Sequence, residues 1–251
     1  MRDHADPVNG SPEDRRVREA AAALAAARDL GPFFEVDPAP GADWTSWTEV
    51  LGSPAAVEQR VAEVRAVVGA GPGSPKVDDR VAASLAHLGL VARLLSPVLG
   101  AALVGNVLPV SSAPQVHLQI SGSNPLPMAL TRPVAVPIGS ARALARAFGR
   151  LWLIPTVEPL GALVRERYAL SPQTLTGNVS SAVAGALHAA AGARPGIRPR
   201  ADAVLKALSR EGLLAGAGHL RPDGTFVRRS CCLFYRVQGA GTCADCVLGR
   251  R

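Results

Sequence analysis

Apolar residues recur every three or four positions along most of the chain, and this spacing constrains the fold more than any other feature. In residues 54–68, valines recur at three- and four-residue spacing and leave the charged residues outward, as in a helix with one buried side: Val57, Val61, Val64, Val67 and Val68. The same spacing predicts further helices at residues 12–30, 77–95, 140–151, 159–168, 172–191 and 200–214. Because only 4% of the residues are aromatic, the core must be mainly aliphatic.

Residues 114–137 depart from this helical spacing. Val116, Leu118 and Ile120 alternate with polar residues, as in a strand with one buried face. Turn-forming residues follow, and Leu130 and residues 134–136 then offer apolar partners for that strand. The sequence therefore predicts a small antiparallel β-hairpin inside a mainly α (α+β) fold.

Composition divides the chain into three parts. Residues 1–11 are polar and predict a disordered N-terminal tail. Residues 12–220 form a helix-rich body that contains the hairpin, and residues 221–251 form a C-terminal segment. Within that segment, residues 225–227 and 233–235 predict short extended stretches.

The formal net charge is +7, but the basic residues are spread along the whole sequence. Spread charge lacks the focused basic face of a nucleic-acid-binding protein, so we expect no nucleic-acid partner. Residues 1–11 lack the apolar core of a secretion signal. The longest apolar stretch, residues 85–110, is interrupted by His87, Arg93 and Pro97. We therefore expect a cytoplasmic protein without an integral membrane segment.

All 4 cysteines lie between residues 231 and 246, in the pattern Cys-Cys, ten residues, Cys, two residues, Cys. Cys243 and Cys246 are close enough in the chain for one turn to bring both thiolates to the same metal centre. Glycines in the preceding loop allow the chain to return toward Cys231 and Cys232. Four thiolates match the ligand requirement of one [2Fe–2S] cluster.

Two disulfides or a structural zinc ion would also use four cysteines. Adjacent cysteines do not readily pair with each other, and stable disulfides are uncommon in a reducing compartment. A directly adjacent Cys-Cys is also an awkward way to build one tetrahedral zinc site, although zinc remains the stronger rival. His219 is not needed as a Rieske-type ligand, because four thiolates already complete a cluster.

The sequence around the cysteines resembles a known family. The stretch Arg229-Ser-Cys-Cys-Leu-Phe-Tyr-Arg236, followed by Cys243-Ala-Asp-Cys246-Val-Leu, resembles the C-terminal signature of FhuF-like ferric-siderophore reductases. Residues 170–182 are similar to the family's middle helix. The resemblance implies a [2Fe–2S] cluster bound by Cys231, Cys232, Cys243 and Cys246, with no catalytic residue beyond the cluster.

The resemblance further implies that the protein passes one electron to a ferric siderophore in the cytoplasm. Siderophores hold Fe(III) through hard oxygen donors and Fe(II) far more weakly, so this reduction releases the iron. The sequence has no dinucleotide or flavin motif, which implies an external electron donor such as a ferredoxin or a flavoprotein reductase. Two other functions stay open: a siderophore or small-ligand binding module with a structural cluster, and an iron–sulfur sensor or regulator.

Polar residues near these features are candidates for tuning and substrate binding. Arg228, Arg229 and Arg236 flank the cysteines, where they can raise the cluster's reduction potential or face an anionic ferric complex. His117 and Gln119 lie on the polar face of the predicted hairpin and can line a siderophore pocket. The remaining candidates for that pocket are Gln115, Asn124 and the tryptophans Trp44, Trp47 and Trp152.

Overall fold

The structure, a computed structural model, describes residues 11–70, 76–122 and 124–249. It is 61% helical, and its strands form small antiparallel sheets, which confirms the predicted mainly α class. The α-helices of the described residues are α1 Pro12–Ala27, α2 Trp47–Gly52, α3 Pro54–Val68, α4 Asp79–Gly105, α5 Ala141–Phe148, α6 Glu158–Tyr168, α7 Pro172–Ala193 and α8 Arg198–Leu208.

Helices α4 and α7 form the centre of the core. Their contact is the most extensive between any two elements of the described residues. Helices α1 and α3 pack on α4, and α8 packs on α7. Aliphatic residues such as Leu90, Leu94, Val183 and Leu187 fill the interior, as the scarcity of aromatic residues predicts.

Helix α4 is longer than the sequence pattern indicates. It was predicted to end near Leu95, but it continues through Pro97 to Gly105. Burial against the neighbouring helices offsets the main-chain hydrogen bond that Pro97 lacks. Of the polar interruptions, Arg93 is buried and donates to the carbonyl oxygens of Phe33, Glu35 and Leu126.

Helix α4 is also long and apolar enough to span a membrane. Its most apolar window is 72% buried inside the fold, and the central helix of a globular core passes the same test. Among the described residues, α4 is the one helix that meets this criterion.

The strands of the described residues form three small antiparallel sheets. They are β1 Thr45–Ser46, β2 Val107–Val110, β3 Val116–Leu118, β4 Met128–Leu130, β5 Val134–Pro137, β6 Gly218–Leu220 and β7 Phe226–Arg228. Strand β3 pairs with β4, which confirms the predicted hairpin, and β1 adds to the free side of β3. Ser123, in the connection between β3 and β4, lies outside the described residues.

The prediction that residues 134–136 pair with the hairpin strand was wrong. Strand β5 pairs with β2 instead, with Val110 opposite Val134. Asn106 adopts a left-handed conformation (φ 57°) that ends α4 and turns the chain into β2. The sequence pattern predicted no strand at residues 107–110, so this partner of β5 was missed.

Two boundaries also differ from the prediction. Ser11 was assigned to the disordered tail but caps α1, because its hydroxyl accepts from Asp14 N at 3.1 Å. The rest of that predicted tail lies outside the described residues. Residues 233–235 were predicted to be extended, but Phe234–Arg236 form a 3₁₀ turn that follows a left-handed Leu233 (φ 70°).

The chain between α5 and α6 forms a π-helix, Gly149–Val157. The predicted helix at 140–151 therefore ends as an α-helix at Phe148 and continues with a wider turn into α6. Similarly, the helix predicted to run to residue 214 ends at Leu208 and is followed by a separate 3₁₀ turn, Gly212–Leu214. Wider π turns occur often at functional sites, and this one borders a cavity described below.

Candidate functional site

The four cysteines lie on a C-terminal segment that is attached to the helical body by strand pairing. Strand β7 pairs with β6, and this pair crosses the predicted boundary between residues 220 and 221. The Arg228 amide then donates to the Asp245 carbonyl at 3.1 Å, and the Arg229 amide donates to the Ala217 carbonyl at 2.8 Å. The first bond ties the loop between Cys243 and Cys246 to the end of β7, and the second extends the pairing of β7 with the chain that leads into β6.

The cysteines differ in exposure, and two of their sulfurs lie close together. Cys232 and Cys246 are buried, whereas Cys231 and Cys243 are partly exposed, and none is in a disulfide. The Cys232 and Cys243 sulfurs are 3.5 Å apart. Two thiolates on one tetrahedral metal ion with bonds of about 2.3 Å lie about 3.8 Å apart, so this pair is already near the required spacing.

Main-chain amides point at two of the sulfurs. The Leu233 amide donates to Cys231 Sγ and the Leu248 amide donates to Cys246 Sγ, each at 3.3 Å and each two residues after the cysteine. Hydrogen bonds of this kind stabilise thiolate sulfur and raise the reduction potential of a bound cluster.

The close sulfur pair also alters the acidity of its thiols. The hydrogen bond between the two sulfurs lowers the pKa of Cys232 to about 6, helped by the Phe234 amide and the Arg228 charge. The same contact, together with burial, raises the pKa of Cys243. The pair of thiols therefore loses its first proton easily. It loses the second readily only when a cation binds in place of that proton.

Arg228 is a buried cation next to this site. Its side chain is 1% exposed, and its Nη2 donates to Asn178 Oδ1 at 2.8 Å and to the Thr174 carbonyl at 3.3 Å. Its Nε and Nη1 have no hydrogen-bond partner among the described residues. No carboxylate of the described residues forms an ion pair with it. A buried charge without a counter-charge is costly, and a thiolate at the neighbouring Cys232 can supply the negative charge that offsets it.

Helix α7 positions Arg228 and the cysteine loop together. Asn178 is fully buried and donates to the Ser84 carbonyl on α4 at 2.9 Å, so its oxygen is held toward Arg228. One turn later, the Ser181 hydroxyl donates to the Asp245 carboxylate, which lies between Cys243 and Cys246. Gly177 permits this approach, because a Cβ there would overlap Ser230 Oγ and lie 2.7 Å from Arg228 Nη2.

Residues 228–248 match the family model described as the FhuF 2Fe-2S C-terminal domain. The match contains all four cysteines and begins at Arg228. The C-terminal segment is FhuF-like. Its cofactor is therefore a [2Fe–2S] cluster, and the segment has a redox role. None of the curated proteins matches the chain.

The residues of the FhuF-like segment fit such a cluster. The four thiols lie on one segment, and main-chain amides donate to two of them. The buried Arg228, with two unpaired nitrogens among the described residues, lies near Cys232. Among the described residues, no three Cys, His, Asp or Glu side chains form a group around a single metal ion. A two-iron cluster needs only two sulfurs on each iron, which suits this arrangement better than one tetrahedral zinc ion does.

The structure separates the three flanking arginines. Arg228 is buried, whereas Arg229 and Arg236 are exposed on the same segment. The Arg236 guanidinium lies 5.9 Å from the centre of the Tyr235 ring. Only Arg228 is therefore placed to act on the cluster from inside, and the other two face solvent.

The residues predicted to line a siderophore pocket do not gather around the FhuF-like segment. Gln119 donates to Asp43 at 3.0 Å, and Asn124 accepts from Arg60 at 3.1 Å. His117 lies in the middle strand of its sheet and is partly exposed. Other residues line the cavities that border the segment.

The tryptophan part of that prediction was wrong for Trp47 and Trp152. Both side chains are fully buried in the core, and each indole donates to a carbonyl, that of Thr156 and of Pro109 respectively, at 2.9 Å. A buried indole needs such a partner, so these rings are structural and do not form a pocket wall.

His87 is a buried histidine that the sequence analysis did not single out as functional. It is 1% exposed, and neither ring nitrogen has a hydrogen-bond partner within residues 11–70, 76–122 and 124–249. Burial, followed by the nearby Arg228 charge, lowers the pKa of its imidazole to about 4. The ring is therefore neutral at physiological pH.

The low pKa of His87 predicts an acid-sensitive contribution to stability. Between the ordinary pKa of 6.5 and about 4, the unfolded chain binds a proton that the folded chain excludes, so stability falls as the pH is lowered through this window. The full shift corresponds to about 3 kcal/mol. Urea unfolding between pH 7 and 4 should show His87→Gln losing about 3 kcal/mol less than the wild type. His219→Gln removes an exposed histidine and should follow the wild-type curve. Equal losses of stability in all three proteins would show that His87 is not the source of the acid sensitivity.

Proposed function

We propose that the protein is a cytoplasmic ferric-siderophore reductase whose cluster is bound by Cys231, Cys232, Cys243 and Cys246. The observation that carries the proposal is the FhuF 2Fe-2S match across residues 228–248, which includes all four thiols. When bound, a [2Fe–2S] cluster accepts and donates one electron at a time. That capacity matches the single electron that converts siderophore-bound Fe(III) to the weakly held Fe(II).

The side chains around the cysteines have distinct parts in this proposal. Cys231 and Cys243 reach the surface, so a bulky iron complex can approach on their side, whereas Cys232 and Cys246 face the body. Arg236 lies near Cys231, and Arg229 is exposed on the same segment, so positive charge around the cysteines favours the approach of an anionic complex. Arg228 remains inside as the counter-charge for the thiolates.

The source of the electron lies outside the chain in this proposal. The sequence contains no dinucleotide or flavin motif, which favours a separate donor such as a reduced ferredoxin or a flavoprotein reductase. The same exposed side of the segment can serve donor and acceptor in turn, because one electron enters and one leaves in each cycle.

The test is a single-turnover reaction under anaerobic conditions. Chemically reduced holoprotein is mixed with a ferric siderophore in the presence of an Fe(II) chelator that absorbs visible light. We expect reoxidation of the cluster and capture of about one Fe(II) per cluster, as the one-electron stoichiometry requires.

The gallium(III) complex of the same siderophore is the matched control, because it has the same shape but accepts no electron. It should bind and leave the cluster reduced. If the ferric complex also binds and leaves the cluster reduced, the protein is a binding module with a structural cluster, and the reductase proposal is wrong.

A further inference from the structure

A cavity of about 270 Å³ lies between α4, the π-helix, α6 and α7, and none of the cysteines lines it. Its walls are mostly aliphatic and are formed by Leu153, Val157, Leu175, Val179 and Leu214. The volume lies just below the range of typical small-molecule pockets and suits a molecule of one or two rings.

His87 is the buried polar residue of this cavity. Its imidazole lines the wall, is almost completely buried, and has no partner at Nδ1 or Nε2 in the part of the chain that the structure describes. Buried polar atoms are nearly always hydrogen-bonded in folded proteins, so two free nitrogens on one ring point to a ligand or to water.

The residue on α6 that lies beside His87 is a glycine. A Cβ built on Gly161 would lie 3.9 Å from His87 Nε2, an ordinary contact distance, so the missing side chain leaves room for a small group beside the ring. A larger side chain at this position would extend into the cavity. At the rim, Glu158 and Arg165 are exposed, and Leu213 is 42% exposed, so the cavity is open to solvent on that side.

The chemistry of the cavity defines the class of ligand. A neutral imidazole carries one N–H donor and one nitrogen acceptor, and a hydroxyl group can satisfy either. The aliphatic walls favour an apolar body, and they make burial of a charged group costly. The buried Arg228 charge nearby also disfavours a cation.

We propose that this cavity is a binding site for a compact, uncharged, hydroxyl-bearing apolar molecule, with His87 as its hydrogen-bonding partner. The site is separate from the cysteines and does not depend on the proposed reductase activity. Unpaired ring nitrogens and a glycine-opened space carry the proposal together.

The probe for this site is 2-naphthol, titrated into the oxidised holoprotein by calorimetry, with ring resonances of labelled histidine as the monitor of position. We expect saturable binding that shifts the His87 resonances. Naphthalene, which lacks the hydroxyl, should bind about 5-fold to 10-fold more weakly, because one hydrogen bond is lost and the ring nitrogen stays unpaired.

Two variants distinguish binding in this cavity from nonspecific binding. His87→Leu should bind both compounds about equally, and Gly161→Leu should bind neither, because its side chain fills the cavity. Each variant is compared only after its cluster absorbance and thermal unfolding match those of the wild type. If Gly161→Leu does not fold, the ratio of the affinities of His87→Leu for 2-naphthol and naphthalene tests the proposal alone.

Three outcomes would overturn the proposal. The first is the absence of saturable 2-naphthol binding, which would leave only water at His87. The second is an unchanged preference for 2-naphthol in His87→Leu. The third is tighter binding of 2-naphthoate, the anionic analogue, which would show that the site selects negative charge.

Discussion

Replacement of Cys232 or Cys246 by alanine is expected to abolish cluster binding. Both sulfurs are buried on the inner side of the segment, and the described residues offer no other group of metal-ligating side chains that could take over. Iron and acid-labile sulfide should fall from about two of each per chain to near zero, and the visible absorbance and the EPR signal of the reduced protein should disappear.

Ser230→Ala is the matched control for the cysteine variants. It removes a polar atom next to Cys231 that has no hydrogen-bond partner, so the cluster should remain. Tightly bound zinc without acid-labile sulfide in the wild type would show that the cysteines bind zinc and not an iron–sulfur cluster. A full cluster in Cys232→Ala would show that this cysteine is not a ligand.

Arg228→Gln is expected to lower the reduction potential of the cluster by roughly 100 mV. Reduction adds negative charge, so removal of a nearby positive charge disfavours it. A unit charge at about 8 Å with an effective dielectric constant of about 20 contributes roughly 2 kcal/mol. For a one-electron couple, about 59 mV corresponds to a tenfold change in the equilibrium constant. Redox titration of the purified holoprotein measures the shift.

Arg229→Gln and Arg236→Gln remove exposed charges from the same segment and serve as controls. Solvent and salt screen these charges, so each should shift the potential by less than about 20 mV. A second variant, Asn178→Ala, removes the hydrogen bond that holds the guanidinium and should shift the potential in the same direction as Arg228→Gln, but less. Equal shifts in the three arginine variants would contradict a special role for the buried one.

Much of the fold could be predicted because its helices carry strong apolar periodicity. Helices α1, α3 and α7 begin within a residue or two of the predicted positions, where a serine is followed by proline. The short helix α2 was missed because six residues carry too little pattern. The extension of α4 past Pro97 was missed because tertiary packing overrides the local preference of proline.

The candidate site could be predicted only in part from the sequence. Residue spacing identified the cysteines, since four of them in sixteen residues need no tertiary information. Which of the three arginines is buried depends on the pairing of β7 with β6. Three further residues lie on helices far from the cysteines in the sequence: Asn178, Ser181 and His87. Their roles depend on how α4 and α7 meet.

One sequence signal for these supporting residues was present. Gly177 lies inside the predicted helix at 172–191, and a glycine in a helix interior often has a packing reason, such as a close approach by another part of the chain. The resemblance over residues 170–182 covers the same positions, although it assigned no function to them. The division into a body at 12–220 and a segment at 221–251 stays a prediction.

Helix α7 holds the C-terminal segment through two residues three positions apart, Asn178 and Ser181, while its other faces are buried in the body. The position of the cysteine-bearing loop is therefore set in part by a helix that begins about sixty residues earlier in the chain. A substitution on α7, remote from the cysteines in sequence, can alter how the loop presents its thiols.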